Sequence, residues 1–282
     1  MRISAVALAA WAGFVASAQA GESAPTRFQF TDLDLRDPHL FVEFLGCRDS
    51  TDAALLEFSV NGSLQDTIQT DGDGDGYLDV AYLLQFTPLN QAAATNPLTV
   101  GSAQCTAPLA GTTCGALTGA QASTATLDDA MTCLEPIVGT VRPYTPPVTN
   151  PGAPCFVSSP FTLTLNLLGA PLLLVDAQVA ATFVGDPAGS LANGLVRGFL
   201  SEAVAANTVL PPSLPLIGGE TLASLLPGYD GPGAEDQNCA AHDDRDVHNA
   251  VVGWWFYFNF PAQLIANLPD SVFADGFEDS GE

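Results

Sequence analysis

Most of the chain after residue 27 alternates between apolar and polar positions with a period of two. In the N-terminal part this pattern covers Phe28 to Phe30, "HLFVEFLG" (39–46), "ALLEFSV" (54–60) and "VAYLLQF" (80–86). Such alternation places successive side chains on opposite faces of a strand, so it predicts β-strands with one buried face. Asn61-Gly62 follows one of these segments and predicts a tight hairpin turn.

The C-terminal part combines the same pattern with one change of period. "FTLTLNL" (161–167) and "LLLVDAQVAATFV" (172–184) flank Gly169 and predict a long hairpin. "VVGWWFYFNF" (251–260) predicts a largely buried strand, because so many exposed aromatic residues would favour aggregation. Between Ser190 and Asn207 the apolar residues recur at helical spacing and predict one amphipathic helix. They are Leu191, Leu195, Val196, Phe199, Leu200, Ala203 and Val204.

These patterns predict a mainly β fold of antiparallel, sandwich-like sheets with one main amphipathic helix, stapled by disulfides. Residues 90–133 are poor in large apolar side chains, so we expect irregular, disulfide-stapled structure there. The segment 143–154 is proline-rich and predicts a linker. It would separate an N-terminal β-rich half, 21–142, from a C-terminal β-rich half with the helix, 155–268. An acidic tail, 269–282, follows.

The first twenty residues, "MRISAVALAAWAGFVASAQA", have the organisation of a secretory signal peptide. Arg2 precedes an apolar run, and Ala18-Gln19-Ala20 forms a small-residue cleavage site. The apolar run is about 15 residues long, shorter than the roughly 20 that span a bilayer. We therefore expect an exported mature chain, 21–282, without a transmembrane segment.

Six cysteines, an even number with no CxxC spacing, predict three disulfides in an exported chain. Fifteen connectivities are possible. Sequence spacing favours a local pair, a second pair across the proline-rich segment, and a third that joins the two ends of the chain. These pairs are Cys105 with Cys114, Cys133 with Cys155, and Cys47 with Cys239.

The charge balance excludes several partner classes. The chain has 31 acidic residues against 7 basic ones, a net charge of -24, and it contains no lysine. Nucleic acids and anionic membrane surfaces need Lys and Arg to displace their counterions, so neither is an expected partner. P-loop phosphate binding and Schiff-base chemistry both need a lysine amine and are excluded as well.

The segment "TDGDGDGYLDV" (70–80) places aspartates at alternate positions, separated by glycines. Carboxylates on alternate residues of a tight loop can converge on one Ca²⁺, which takes about six to eight oxygen ligands. Without a cation, carboxylates so close in sequence repel one another. We expect one calcium ion here. Its predicted ligands are Asp71, Asp73, Asp75, Asp79 and the backbone carbonyl of Tyr77.

Residues 71–79 resemble the aspartate-rich calcium loops of dockerin, thrombospondin type 3 and integrin FG-GAP repeats. An EF-hand loop differs, because its twelfth position needs a bidentate glutamate and Tyr82 stands there, inside a predicted strand. The remaining ligands would be water or distant acids, for which Asp66 or the pair Asp128 and Asp129 are candidates. The alternative is an unoccupied acidic turn.

A second group of polar residues lies in "CAAHDDRDVHNA" (239–250). His242, Asp244, Asp246 and His248 are candidates for acid, base or metal-ligand roles. The alternative is a disulfide-anchored loop whose aspartates cap turns and pair with Arg245, because no defined metal-ligand spacing is present. The third histidine of the chain, His39, is expected to be structural.

Two further resemblances concern the C-terminal region. "VFADGFE" (272–278) resembles a short tail found on otherwise unrelated exported proteins of gram-negative bacteria, which implies an export or sorting element at Phe273 to Glu278. The alternative is an acidic tail without that role. The body of the chain resembles uncharacterised secreted bacterial proteins that end in a strand like "GWWFYFNF", which implies no known activity.

The sequence therefore favours an exported, calcium-binding β-rich protein with a binding or structural role at the cell surface or in the medium. The ligand or surface component that it binds is not specified by any motif. One alternative is a secreted hydrolase that uses the loop from His242 to His248, although no nucleophile motif such as G-x-S-x-G is present. The other is a carrier of apolar ligands, with a cavity between the hairpin 161–184 and the helix from Ser190.

Overall fold

The computed structural model describes residues 24–232 and 239–265. The predicted signal peptide (1–20) and the acidic tail (269–282) lie outside the described residues. The strands are β1 Thr26–Phe30, β2 Asp34–Asp37, β3 Phe41–Glu43, β4 Cys47–Asp49, β5 Tyr82–Phe86, β6 Thr95–Ser102, β7 Thr118–Asp128, β8 Cys155–Ser158, β9 Phe161–Leu167, β10 Ala170–Gly185, β11 Ala188–Ser201, β12 Asp246–His248 and β13 Val251–Ile265. The helices are α1 Val60–Gln69, α2 Glu202–Asn207 and a short 3-10 helix, Ala223–Leu225.

Eight of these strands form an antiparallel β-barrel in the order β1-β5-β6-β7-β8-β10-β11-β13. Pairing of β1 with β13, in which Phe28 lies opposite Leu264, closes the barrel. Strands β2 and β12 add to β13, and β9 adds to β10. The expected mainly β fold is confirmed, but the expected sandwich is wrong. One sheet curls until its edges pair, which satisfies backbone groups that a sandwich would leave at open edges.

The long strand β13 is buried on both faces, as "VVGWWFYFNF" predicts. Its inward side chains belong to the main core; they are Trp254, Phe256, Phe258 and Phe260. On the outer face, Trp255 and Tyr257 pack in a smaller cluster with Leu134, Ile137 and Val148. The segment 133–148 thus covers the outside of the barrel wall, and Tyr257 accepts a hydrogen bond of 3.0 Å from the Ile137 N–H.

The hairpin predicted at Asn61-Gly62 is wrong, because these residues begin α1. Ser59 caps the helix by accepting a hydrogen bond from the Gly62 N–H. The Asn61 side chain accepts from Leu35 N–H at 2.7 Å and donates to the Leu35 carbonyl at 3.0 Å, which fixes the helix start to β2. The apolar face of the helix consists of Val60, Leu64 and Ile68, spaced four residues apart.

The amphipathic helix predicted from Ser190 to Asn207 is also wrong over most of its length. Residues up to Ser201 form β11, and only Glu202–Asn207 are helical. Both faces of β11 are buried: Val196 and Leu200 face the main core, whereas Leu195 and Phe199 join the outer cluster. A register shift near Gly194 changes which side chains of the strand point toward the main core. A bulged strand buried on two faces resembles a helical stripe in sequence.

Residues 90–133 are more regular than expected, since they contain β6 and β7. Their side chains are small, and most of β7 is exposed. Backbone pairing with β6 and β8 therefore holds this strand more than packing does. The barrel takes four strands from each side of the proline-rich segment 143–154.

All six cysteines form disulfides, in the three pairs that the spacing favoured. Cys133–Cys155 ties the covering segment to β8, and Cys47–Cys239 joins positions separated by 192 residues. Three disulfides are typical of chains that fold in an oxidising compartment, extracellular or periplasmic. Within residues 24–232 and 239–265, no helix is long and apolar enough to cross a bilayer.

Candidate functional site

The aspartate-rich loop, residues 71–79, connects the end of α1 to the barrel. The Asp79 N–H donates to the Thr70 carbonyl at 3.1 Å, which closes the loop at its base. The Leu78 N–H donates to the Cys105 carbonyl at 2.9 Å, so the loop also rests on the Cys105–Cys114 disulfide loop. A helix precedes the loop where a hairpin was expected, and β5 follows it as expected.

Three carboxylates of the loop lie close together. Asp71, Asp73 and Asp79 each offer an oxygen, and these oxygens lie within 4.8 Å of one another. Ca²⁺–oxygen distances are about 2.3 to 2.6 Å, so two oxygens on one ion can be up to about 5 Å apart. The group is therefore compact enough to hold one ion.

Backbone hydrogen bonds fix the loop in this form. Asp71 accepts from the N–H groups of Gly74 (2.7 Å), Asp75 (3.0 Å) and Gly76 (2.8 Å). Gly74 and Gly76 have φ values of +76° and +92°, which side-chain-bearing residues rarely adopt. Asp79 accepts from the Gly72 N–H at 3.0 Å. These hydrogen bonds orient the carboxylates of Asp71 and Asp79.

The other predicted aspartate ligands are not members of this group of three. Asp75 is outside the group of three and accepts a 2.8 Å hydrogen bond from the Tyr77 N–H. Asp128 caps a turn by accepting from Ala130 and Met131, and these two N–H groups lower its pKa. Asp66 is an exposed residue of α1. A bound ion would therefore need water or backbone oxygens to complete its coordination.

The aspartate-rich loop concentrates negative charge. Among the ion pairs of the described residues, none involves Asp71, Asp73 or Asp79. The loop also starts at the C-terminal end of α1, where the helix dipole is negative. A cation is the simplest way to offset this concentration of charge.

The second predicted group, around His242 to His248, is divided between two places. His242 Nε2 lies 2.8 Å from the Tyr144 hydroxyl and 3.6 Å from Asp244 Oδ2. His248 Nε2 lies 2.6 Å from Asp176 Oδ2, and its ring packs between Phe199 and Trp255. Each histidine therefore has its own carboxylate partner.

Asp244 belongs to a buried carboxylate cluster, formed by Asp37, Arg142, Tyr144 and Asp244. The Arg142 Nε donates to Asp244 Oδ1 at 3.0 Å, and the Tyr144 hydroxyl donates to Asp244 Oδ2 at 2.5 Å. The Asp244 side chain is only 1% exposed. Asp246 lies at the edge of the cluster, with Oδ1 3.8 Å from an Arg142 nitrogen.

Burial dominates the electrostatics of this cluster. It raises the pKa of Asp37 to about 8, with a further increase from the Asp244 carboxylate, and the Arg142 N–H bond of 2.6 Å only partly offsets it. Burial and the bond to Asp244 also raise the pKa of Tyr144 far above its ordinary value. Burial raises the pKa of Asp246 as well. Arg142 is the main compensating charge.

Several contacts around the cluster hold the loop 239–245 in place. His39 stacks on Tyr144 with ring centroids 3.9 Å apart, and its Nδ1 lies 2.6 Å from Asp49. Asp243 accepts from the Arg245 backbone N–H at 2.9 Å and pairs with its guanidinium. The Cys47–Cys239 disulfide anchors the same loop. These contacts fit the interpretation of a disulfide-anchored loop whose aspartates cap turns and pair with arginine.

The aspartate-rich loop, by contrast, borders open space. A cleft of about 1040 Å³ is lined by Asp73, Asp75 and Asp79 on one side and by residues 164–166 of β9 on the other. An ion held by the loop would therefore remain accessible from the cleft. Comparisons of this chain with protein-family models, with curated proteins and with solved structures find no match.

Proposed function

We propose that the protein is an exported calcium-binding β-barrel with a binding or structural role at the cell surface or in the medium. One Ca²⁺ would be held by Asp71, Asp73 and Asp79. The observation that carries this proposal is the approach of their oxygens to within 4.8 Å of one another.

The position of the loop suggests what the ion would do. The ion would brace the loop that connects the end of α1 to the start of β5. This loop also bonds to the Cys105–Cys114 region through Leu78. Bound calcium would remove carboxylate repulsion at this junction, and the stabilisation of the folded chain would grow with the ratio of calcium concentration to the dissociation constant.

The proposed location fits the rest of the chain. Three disulfides favour an oxidising compartment, and residues 1–20 have the pattern of a signal peptide. The tail at 272–278 resembles that of exported gram-negative proteins. With only three carboxylates in the group, we expect an affinity typical of extracellular modules, with a Kd on the order of 0.1 to 1 mM.

Isothermal titration calorimetry with CaCl2 on the mature chain, 21–282, tests the proposal. We expect one site, and we expect Asp71→Asn to weaken it at least tenfold, because Asp71 supplies both a ligand oxygen and three backbone contacts. Asp186→Asn is the matched control, since it removes an exposed acid in the turn between β10 and β11, outside the loop. No binding heat at 10 mM calcium, or equal loss in both variants, would refute the proposal.

A further inference from the structure

An apolar groove lies on the outer face of the barrel, between β10 and α2. Its volume is about 350 Å³. Leu173 and Val175 of β10 line it on one side of β11, and Val251 of β13 lines it on the other. Phe199 of β11 lies between them, and Val204 of α2 adds to the wall. We call this feature the outer groove.

The apolar side chains along the sides of the outer groove are accessible to solvent. Leu173, Val175 and Val251 are 39%, 38% and 45% exposed. A single exposed aliphatic side chain is ordinary on a protein surface, but here three of them line one depression above the buried Phe199. Contiguous apolar surface with a polar rim is typical of a binding site. An occupant would therefore remove this surface from water.

A β-bulge brings one carboxylate to the outer groove. The pairing of β10 with β11 shifts register between Val175 and Gln178, and Asp176 within this bulge has a φ of +49°. Residues with side chains adopt such a φ infrequently, and bulges often redirect a side chain next to a functional site. Asp176 thereby lines the groove, with Oδ2 2.6 Å from His248 Nε2.

The carboxylate of Asp176 keeps capacity for a positively charged partner. His248 bonds to Oδ2, whereas Oδ1 makes no hydrogen bond to any described residue, and the side chain is 50% exposed. The other polar residues that line the outer groove are Ser201 and Asn249, and no arginine is among the described lining residues. The whole chain has a net charge of -24, which attracts cations and repels anions.

From this combination we infer that the outer groove binds an aliphatic amine. The alkyl chain would lie against Leu173, Val175 and Val251. The ammonium group would donate to Asp176 Oδ1, since it combines a positive charge with three N–H donors. An alcohol with the same chain lacks the charge, and a carboxylate would be repelled by Asp176. The inference makes no use of calcium and is therefore independent of the proposed function.

The position of the groove differs from the one that the sequence suggested. The sequence suggested a cavity for apolar ligands between the hairpin 161–184 and a helix from Ser190. The outer groove does lie between β10 of that hairpin and a helix, but this helix is α2, which begins at Glu202, and the groove is open to solvent. A short alkyl chain with a charged end, half covered by protein, fits such a surface.

The first test compares three ligands with the same alkyl chain by calorimetry: octylammonium, 1-octanol and octanoate. The wild-type mature chain is used at pH 8 with chelator and about 0.15 M NaCl, so that calcium has no part and distant charges are screened. Octylammonium should bind at one site about fivefold more tightly than octanol, and octanoate more weakly than either. No binding of octylammonium, or equal affinities of the three ligands, would overturn the inference.

The charge assignment is tested by Asp176→Asn, which should reduce octylammonium affinity about fivefold, to the level of octanol, and leave octanol unchanged. Asp186→Asn is the matched control, because it removes the same charge from an exposed position that does not line the outer groove. Equal weakening in the two variants would show that the amine is attracted to the acidic surface as a whole, and would overturn the inference.

The position of the alkyl chain is tested by a length series and one substitution. Full burial of a methylene group raises affinity about fourfold, so a groove open on one side should give about twofold per methylene from butylammonium to octylammonium. Leu173→Ser should weaken octylammonium binding about two- to fourfold. Val184→Ser is the control, since Val184 is exposed and does not line the groove.

Circular dichroism and the melting temperature report whether these variants are folded. Equal affinities in folded Leu173→Ser and Val184→Ser, or no dependence on chain length in the wild-type chain, would contradict the placement of the alkyl chain. If Leu173→Ser does not fold, the wild-type length series decides this point.

Discussion

Two groups of carboxylates in this barrel solve the problem of charge in opposite ways. In the aspartate-rich loop, Asp71, Asp73 and Asp79 accept hydrogen bonds from backbone N–H groups or face solvent, and no arginine approaches them among the described ion pairs. In the buried carboxylate cluster, Asp244 is enclosed and bonded to both Arg142 and Tyr144.

The difference separates exposed carboxylates, which could hold an external cation, from buried carboxylates that are paired with an arginine of the same chain. Exposed carboxylates can remain charged in water and exchange ligands, which is what a reversible ion site requires. A carboxylate that is 1% exposed must be paired, because an unpaired buried charge is costly. The buried cluster is therefore interpreted as structural, although it includes the candidate Asp244 and the candidate His242 contacts it.

Arg142→Met should have the largest effect, because it leaves Asp244 buried without its cation. We expect a loss of about 3 to 5 kcal/mol in the free energy of unfolding, measured by chemical denaturation. Arg48→Met, at an exposed position of β4, is the control. A loss in Arg142→Met no larger than that of the control would show that the cluster does not depend on this pair.

Asp37→Asn should change how stability depends on pH. The pKa of Asp37 is about 8 when folded against 3.8 as its ordinary value, so between these values the folded state binds more protons than the unfolded state. Its contribution to stability is therefore present below about pH 4 and is lost as pH rises toward 8.

Relative to wild type, Asp37→Asn should therefore gain about 2 to 4 kcal/mol between pH 5 and pH 8, because an amide does not ionise. Denaturation curves at the two pH values measure this gain. Asp66→Asn, in the exposed part of α1, should show no such trend. If wild type and Asp37→Asn have the same dependence of stability on pH, ionisation of Asp37 does not destabilise the folded state.

Gly72→Ala should have the smallest effect, on calcium affinity alone. A Cβ at residue 72 would lie 2.8 Å from Asp79 Oδ2 and would displace that ligand without changing net charge. We expect affinity to fall about three- to tenfold in calorimetry, which corresponds to roughly 1 kcal/mol. Gly152→Ala, where a Cβ meets nothing within 4 Å, is the control. Equal affinities in the two variants would argue against Asp79 as a ligand.

The sequence predicts the loop better than the cluster for a physical reason. Asp71, Asp73 and Asp79 lie within nine residues, so spacing alone brings them together. Asp37 and Asp244 are each about a hundred residues from Arg142, and only the closed barrel brings them to it. Neither the spacing of neighbouring residues nor the alternation of apolar and polar positions predicts contacts between residues that are a hundred positions apart.

The errors in the fold prediction have the same origin. Val196 and Phe199 fit a helical stripe because β11 is buried from both sides, and the covering segment 133–148 that buries its outer face is distant in sequence. The sequence around Asn61 predicts a hairpin turn, whereas in the fold its side chain bonds to the Leu35 backbone at the start of α1. Local patterns predict strands that have one solvent-exposed face, or an unbroken aromatic run such as that of β13, but they fail at β11 and α1, whose surroundings come from distant parts of the chain.

The most direct test of the account is the melting temperature of the mature chain in 10 mM CaCl2 and in chelator. If the loop holds calcium in the folded state, the ion should raise the melting temperature by about 2 to 6 °C, and the shift should grow with calcium concentration. The same melting temperature in both conditions, with no concentration dependence, would contradict the claim that calcium braces this barrel.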